Sequence, residues 1–137
     1  MAYTTSATTK GGRNGRAILE NNGLALAMGL QKEFGGSGEG HNPEQLFTLG
    51  WSACFGQAIL VLARKHGLDG QDARVTCALA MDKDDVSFGF KAEIKVIKVS
   101  IPGADKAKVQ ALAEDAHKIC PYSRATRGNV PVTLTVI

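Results

Sequence analysis

Large apolar residues fall at every second position in Leu24, Leu26, Met28 and Leu30, which follow "RAILE" (16–20) and "NNG" (21–23). Alternation with a period of two predicts strands, and the intervening "NNG" is a turn signal that would join them as a hairpin. The pattern changes at Pro43. From there to about His66, Leu46, Phe47, Leu49, Trp51, Ala53, Phe55, Ile59, Leu60, Val61 and Leu62 leave no polar face along most of the run. Asn42 is a suitable N-cap, Pro43 fits the first helical position and Gly67 is a stop signal, so one helix is predicted.

Two more alternating runs follow "GLDGQD": Val75, Cys77, Leu79 and Met81, then Val86, Phe88, Phe90, Ala92, Ile94 and Val96. The apolar phase then slips to Val99 and Ile101, which predicts a bulge near Ile97. Asp105 caps a further helix, with Val109, Leu112, Ala113 and Ala116 on one face. Pro121 discourages helical geometry at Cys120, so that helix ends on a thiol. "VPVTLTVI" closes the chain as a strand, and "MAYTTSATTKGGRNGR" opens it as a strand leading into a turn. The predicted order is strands, helix, strands, helix, strand, without repeats or linkers.

Size sharpens one of these expectations. The 137 residues fit a single domain, 1–137, and such a chain leaves roughly a third of its surface exposed on folding. A helix apolar all round must be covered all round. The sequence therefore predicts that a second copy supplies the missing cover, as a two-fold dimer.

A net charge of +3, spread over 16 basic and 13 acidic residues with 6% aromatic content, argues against nucleic-acid binding. No apolar run is expected to span a bilayer, the N-terminus lacks the apolar middle of a secretory signal, and a cytoplasmic protein is expected. "KEFGGSGEGHN" is glycine-rich but fits neither the P-loop nor the dinucleotide fingerprint, so no phosphate role is expected.

Three widely spaced cysteines without a CxxC argue against a secreted disulfide framework. Cys77 shares a face with Val75, Leu79 and Met81 and reads as a small core hydrophobe. Cys54 lies in the apolar helix, where the same reading applies, whereas Cys120 is expected at a helix terminus that is exposed or semi-exposed. His117 and Cys120 could face one metal, but no second close pair accompanies them, and no metal site is expected. His41 and His66 read as solvated residues near element ends.

"NPEQLFTLGWSACF" (42–55), "CPYSRATRGN" (120–129) and "TTKGGRNGRA" near the start resemble the organic hydroperoxide resistance proteins, a branch of the OsmC-type superfamily. The resemblance runs along essentially the whole chain. It implies an α+β fold, an OsmC-like intertwined homodimer with antiparallel sheets wrapped around buried central helices, and sites at the subunit interface. It also implies an enzyme that reduces organic hydroperoxides to alcohols, with no cofactor and with a dihydrolipoyl group on a carrier protein as reductant.

Carried over by position, the resemblance makes Cys54 the peroxide-attacking thiol, Cys120 the resolving thiol, Arg13 the activating cation and Glu44 its carboxylate partner. The chemistry needs these types. A thiol among apolar groups has a raised pKa unless a cation stands near, and a sulfenic acid must be trapped by a second thiol before overoxidation. For Arg13 to serve both Glu44 and Cys54 in one chain, the helix should break at Gly50, with Ser52 capping a second helix whose first turn holds Cys54. Thr126 and Arg127 are expected to tie the segment after Cys120 into the sheet. The family pattern has asparagine where Arg124 stands and tyrosine where Trp51 stands, differences that bear on substrate preference. Two other readings remain: a broader-specificity OsmC-type peroxidase, and a non-enzymatic redox-sensing or ligand-binding module.

Overall fold

The computed structural model describes residues 2–21, 23–82 and 91–137, without the side chains of 82 and 91–96. The predicted alternation at Val86, Phe88 and Phe90 lies outside the described residues. Two compact units, 1–47 and 48–137, divide the chain.

The first unit is a three-stranded antiparallel sheet of β1 (Ala7–Lys10), β2 (Arg16–Leu19) and β3 (Ala25–Ala27). The predicted hairpin is present: Ala17 pairs with Leu26, and the Leu19 amide donates to the Leu24 carbonyl at 2.8 Å. The β1–β2 connection is a tight 3-10 turn over Gly12–Asn14 that carries Arg13 at its centre. Glycine is required around it. Gly11 has φ +81°, and a Cβ on Gly15 would lie 1.8 Å from the Lys10 carbonyl oxygen.

Helix α1 (Pro43–Leu62) begins in this unit and continues into the second. Its start is a capping box: the Gln45 amide donates to Asn42 Oδ1 at 2.9 Å while the Asn42 amide donates to Gln45 Oε1 at 3.0 Å. A 3-10 turn over Ala63–His66 extends it, and Gly67, at φ +68°, ends it. The expected break is absent, because helical geometry runs unbroken through Gly50. Ser52 caps nothing; its hydroxyl donates back to the Leu49 carbonyl at 2.9 Å, as a mid-helix serine does. Residues 43–66 also form a helix long and apolar enough to cross a membrane, by length and composition alone, against the expectation that no run would be. A core helix passes the same test, and Trp51, Phe55 and Ile59 are fully buried within the protein.

The second unit adds β4 (Arg74–Asp82), β5 (Lys91–Ser100) and β6 (Val132–Val136), with α2 (Lys106–Ile119) and α3 (Pro121–Thr126) between the last two strands. β4 and β5 pair antiparallel, and opposite Ala78 and Leu79 the register passes from Val96 to Ile94, leaving Lys95 as the extra residue of a bulge. The bulge was expected two residues further on. β6 runs parallel to β5, so the expectation of purely antiparallel sheets is corrected. Alternation does not encode strand direction, and the α2–α3 crossover is what permits a parallel return.

Asp105 caps α2 through the Lys108 amide at 3.0 Å, and Val109, Leu112, Ala113 and Ala116 are buried as the spacing predicts. Each fully buried large apolar side chain in this core contributes about 1.5–3 kcal/mol relative to exposure. On α1, by contrast, Leu49 and Val61 are 68% and 62% exposed in the single chain.

Candidate functional site

Cys120 is at once the C-cap of α2 and the N-cap of α3, with φ −57° and ψ 122°. Such extended geometry is what a following proline imposes, and Pro121 then occupies the first position of α3. The chain thus turns sharply at the thiol. The short helix α3 was not anticipated from the sequence; proline was read as a stop for α2 but also starts the next helix.

That corner lies against α1. Cys120 Sγ donates to Cys54 Sγ at 3.4 Å across 66 positions of sequence, and both thiols are free. The expected exposure of Cys120 is corrected: it is fully buried, because the turn at Pro121 folds α3 back onto α1, while Cys54 is half-buried. Two further contacts flank the sulfurs. Trp51 Nε1 donates to Ser123 Oγ at 3.3 Å, with both residues fully buried. Gly50 lets the Tyr122 ring approach so closely that a Cβ there would lie 2.8 Å from its Cε2 atom.

Burial, chiefly, pushes the Cys54 thiol above its ordinary pKa; the Tyr122 amide, hydrogen-bonded to the sulfur, opposes this, and the Cys120 thiol adds to it. The N–H that favours a thiolate therefore comes from α3, whereas the sequence led us to expect it from the first turn of a helix beginning at Ser52. Cys77, half-buried on β4, is pushed up to about 12, mainly by burial. That leaves it a neutral thiol, consistent with packing.

The other two predicted residues meet in the first unit. Arg13 grips Glu44 in a fork, Nη1 to Oε2 at 2.8 Å and Nη2 to Oε1 at 2.7 Å. Gln31 Nε2 adds a third donor to Oε2 at 3.0 Å. Burial alone would raise the Glu44 pKa, but the hydrogen bonds and the charge of Arg13, helped by Gln31, hold the carboxyl below its ordinary value. The hydrogen bond to Glu44 in turn raises Arg13 further. Gln31 was not picked out from the sequence, where nothing distinguishes it from any loop glutamine.

Smaller expectations are corrected around this frame. His66 is not simply solvated: its Nε2 meets Asp115 Oδ2 at 3.0 Å, with the imidazole side chain 16% exposed. Among the described residues Arg127 bonds not to the sheet, where it was expected, but to the His117 carbonyl, to which it donates at 2.7 Å at the end of α2. Thr126 bonds within α3, its hydroxyl donating to the Tyr122 carbonyl at 2.8 Å. Among the described residues no three His, Cys, Asp or Glu side chains converge as a metal site would require.

Chemically, two thiols in contact, one partly accessible and one sealed, form a pair that can close to a disulfide with little movement. The family profile described as OsmC-like protein matches residues 36–135. An organic hydroperoxide resistance protein of Xanthomonas axonopodis pv. citri is 40% identical over 138 residues, covering 99% of this chain and 95% of its own. The organic hydroperoxide resistance protein OhrB of Bacillus subtilis is 35% identical over 132 residues, covering 96% of each. Among solved structures, an organic hydroperoxide resistance protein of Legionella pneumophila superposes with a TM-score of 0.89 at 37% identity, covering 99% of this chain and 98% of its own.

Proposed function

The chain belongs to the OsmC-like protein family, and from that premise we propose that it is a thiol peroxidase that reduces organic hydroperoxides to alcohols through Cys54 and Cys120. The observation that carries the reading is the 3.4 Å approach of two free sulfurs that lie 66 positions apart in sequence. The relatives' names supply the substrate class, and the thiols supply a means of acting on it.

In the proposed cycle the Cys54 thiolate attacks the terminal oxygen of the hydroperoxide. The O–O bond breaks, the alkoxide leaves and takes up a proton as the alcohol, and Cys54 becomes a sulfenic acid. Cys120 then attacks the Cys54 sulfur, the S–O bond breaks, and water leaves as the disulfide forms. A dihydrolipoyl group on a carrier protein would return both thiols by exchange, becoming the cyclic disulfide itself. The buried apolar side chains of Trp51 and Phe55 on α1 suit an alkyl or fatty-acid peroxide better than hydrogen peroxide.

A raised thiol pKa needs a cation, and Arg13 with Glu44 is the pair we assign to that task. Ten residues of unbroken helix separate Glu44 from Cys54, about 15 Å along the axis. Both terminal nitrogens of Arg13 are engaged by Glu44. We therefore assign the Arg13 and Glu44 that serve Cys54 to the second copy of a homodimer, which also covers Leu49 and Val61. The working compartment in this reading is the cytoplasm, where thiols stay reduced.

Steady-state turnover of cumene hydroperoxide with dihydrolipoamide tests the function. Sustained alcohol production that disappears in Cys54→Ser is expected; a single stoichiometric oxidation without turnover would favour a sensor instead.

A further inference from the structure

Cys54 and Cys120 are held together by something other than the sulfurs themselves. On α1, Trp51 lies three residues before Cys54; on the other side, Ser123 lies three residues after Cys120. Residues three apart on a helix share a face. The Trp51–Ser123 and Cys54–Cys120 contacts are consequently two neighbouring rungs of one ladder, with the start of α3 running back along α1. Gly50 permits the close spacing by leaving room for Tyr122.

The indole N–H can only donate, and at zero exposure it needs an acceptor inside the protein. Ser123 is buried as completely, so neither partner can exchange this bond for one to water without the corner opening. We propose that Trp51 and Ser123 are positioning residues for disulfide closure: their hydrogen bond holds the Cys120 corner on α1 so that Cys120 captures the Cys54 sulfenic acid before a second peroxide does. The inference rests on the proposed peroxidase reading for its biological meaning, and on the two rungs for its geometry.

The two competing steps differ in what they consume. Capture joins the Cys54 and Cys120 sulfurs, breaks the Cys54 S–O bond and releases water, with the Cys120 proton leaving on the departing oxygen. Overoxidation transfers a second oxygen from another hydroperoxide to the Cys54 sulfur, giving the sulfinic acid and a second alcohol. A clamp that holds the Cys120 corner against α1 changes the ratio of these two outcomes, because only capture needs the Cys120 sulfur.

The test uses the full chain carrying Ser123→Ala, with folding checked by thermal melting. With one equivalent of cumene hydroperoxide, Cys54 should still be oxidised, and its rate is recorded separately from closure. Disulfide closure should slow by about fivefold or more, the equivalent of one buried hydrogen bond. Under excess peroxide the sulfinic fraction should rise accordingly. Ser123→Ala placed in a Trp51→Phe background should add little, since the shared bond is already gone. A parallel arm closes the disulfide with diamide, which needs no peroxidase activity. Slow diamide closure in Ser123→Ala therefore supports the clamp even if wild type fails to turn over peroxide, so failure of the function and failure of the clamp are separable. Should Ser123→Ala not fold, Trp51→Phe carries the diamide closure reading from the donor side, which does not depend on how peroxide is bound. Closure at the wild-type rate in either folded variant overturns the proposal, and so does the failure of both variants to fold, which would make the contact a folding element only.

Discussion

Three cysteines with three environments show how little residue type says by itself. Cys120 is sealed at a helix junction, Cys54 is half-buried against it, and Cys77 sits on a strand with its pKa pushed up to about 12. Its neutral form is the one the fold prefers. Between the ordinary thiol value of 9.0 and about 12 the unfolded chain therefore holds fewer protons at this site than the folded one. The stability that this preference represents is complete below pH 9 and is lost as pH rises towards 12. Cys77→Ala should accordingly flatten the fall of stability between pH 9 and 11 in urea titrations, while costing about 1 kcal/mol near neutrality through lost packing. Peroxide turnover should be unchanged; a large loss of activity in the folded variant would give Cys77 a chemical role instead.

At the scale of elements, the end of α2 decides where the resolving sulfur stands. Arg127 holds the His117 carbonyl, and its charge, after burial, is the second cause of the lowered His117 pKa. Arg127→Ala should raise that pKa without restoring it to 6.5, because burial remains, and NMR titration of the imidazole would show it. No upward shift would mean that burial acts alone. Much at this scale could be read from sequence. The hairpin, both helix caps, the apolar face of α2 and the terminal strand all follow from alternation, capping residues and glycine stops. What could not be read has physical causes. Pro121 ends one helix and begins another, and only the backbone distinguishes these roles. The helix break at Gly50 was inferred from a demand that one chain satisfy Arg13, Glu44 and Cys54 together, whereas glycine there makes room for Tyr122 instead. The parallel placement of β6 is invisible to alternation because the side-chain period is the same in either direction. Of the proposed site, the residue identities came from family segments, while the Tyr122 amide, the Trp51–Ser123 bond and Gln31 required coordinates.

For the molecule as a whole, the proposed second copy is supported by the unbroken α1 and its exposed apolar residues Leu49 and Val61. If the Arg13–Glu44 pair of one copy serves Cys54 of the other, activity should complement between inactive partners. A purified mixed dimer of Arg13→Ala with Cys54→Ser should recover about half of wild-type turnover, since one of its two sites is intact, while each parent homodimer stays strongly impaired. A mixed dimer as weak as its parents would place the cation in the same chain as the thiol. The central claim, that Cys54 and Cys120 form the working redox pair, is tested most directly by intact-mass and peptide mapping of the reduced protein after one equivalent of cumene hydroperoxide. The account predicts one equivalent of alcohol and a Cys54–Cys120 disulfide, with Cys120→Ser halting at singly oxygenated Cys54 and Cys54→Ser left unmodified. A disulfide through Cys77, or oxidation of Cys120 in Cys54→Ser, would contradict it.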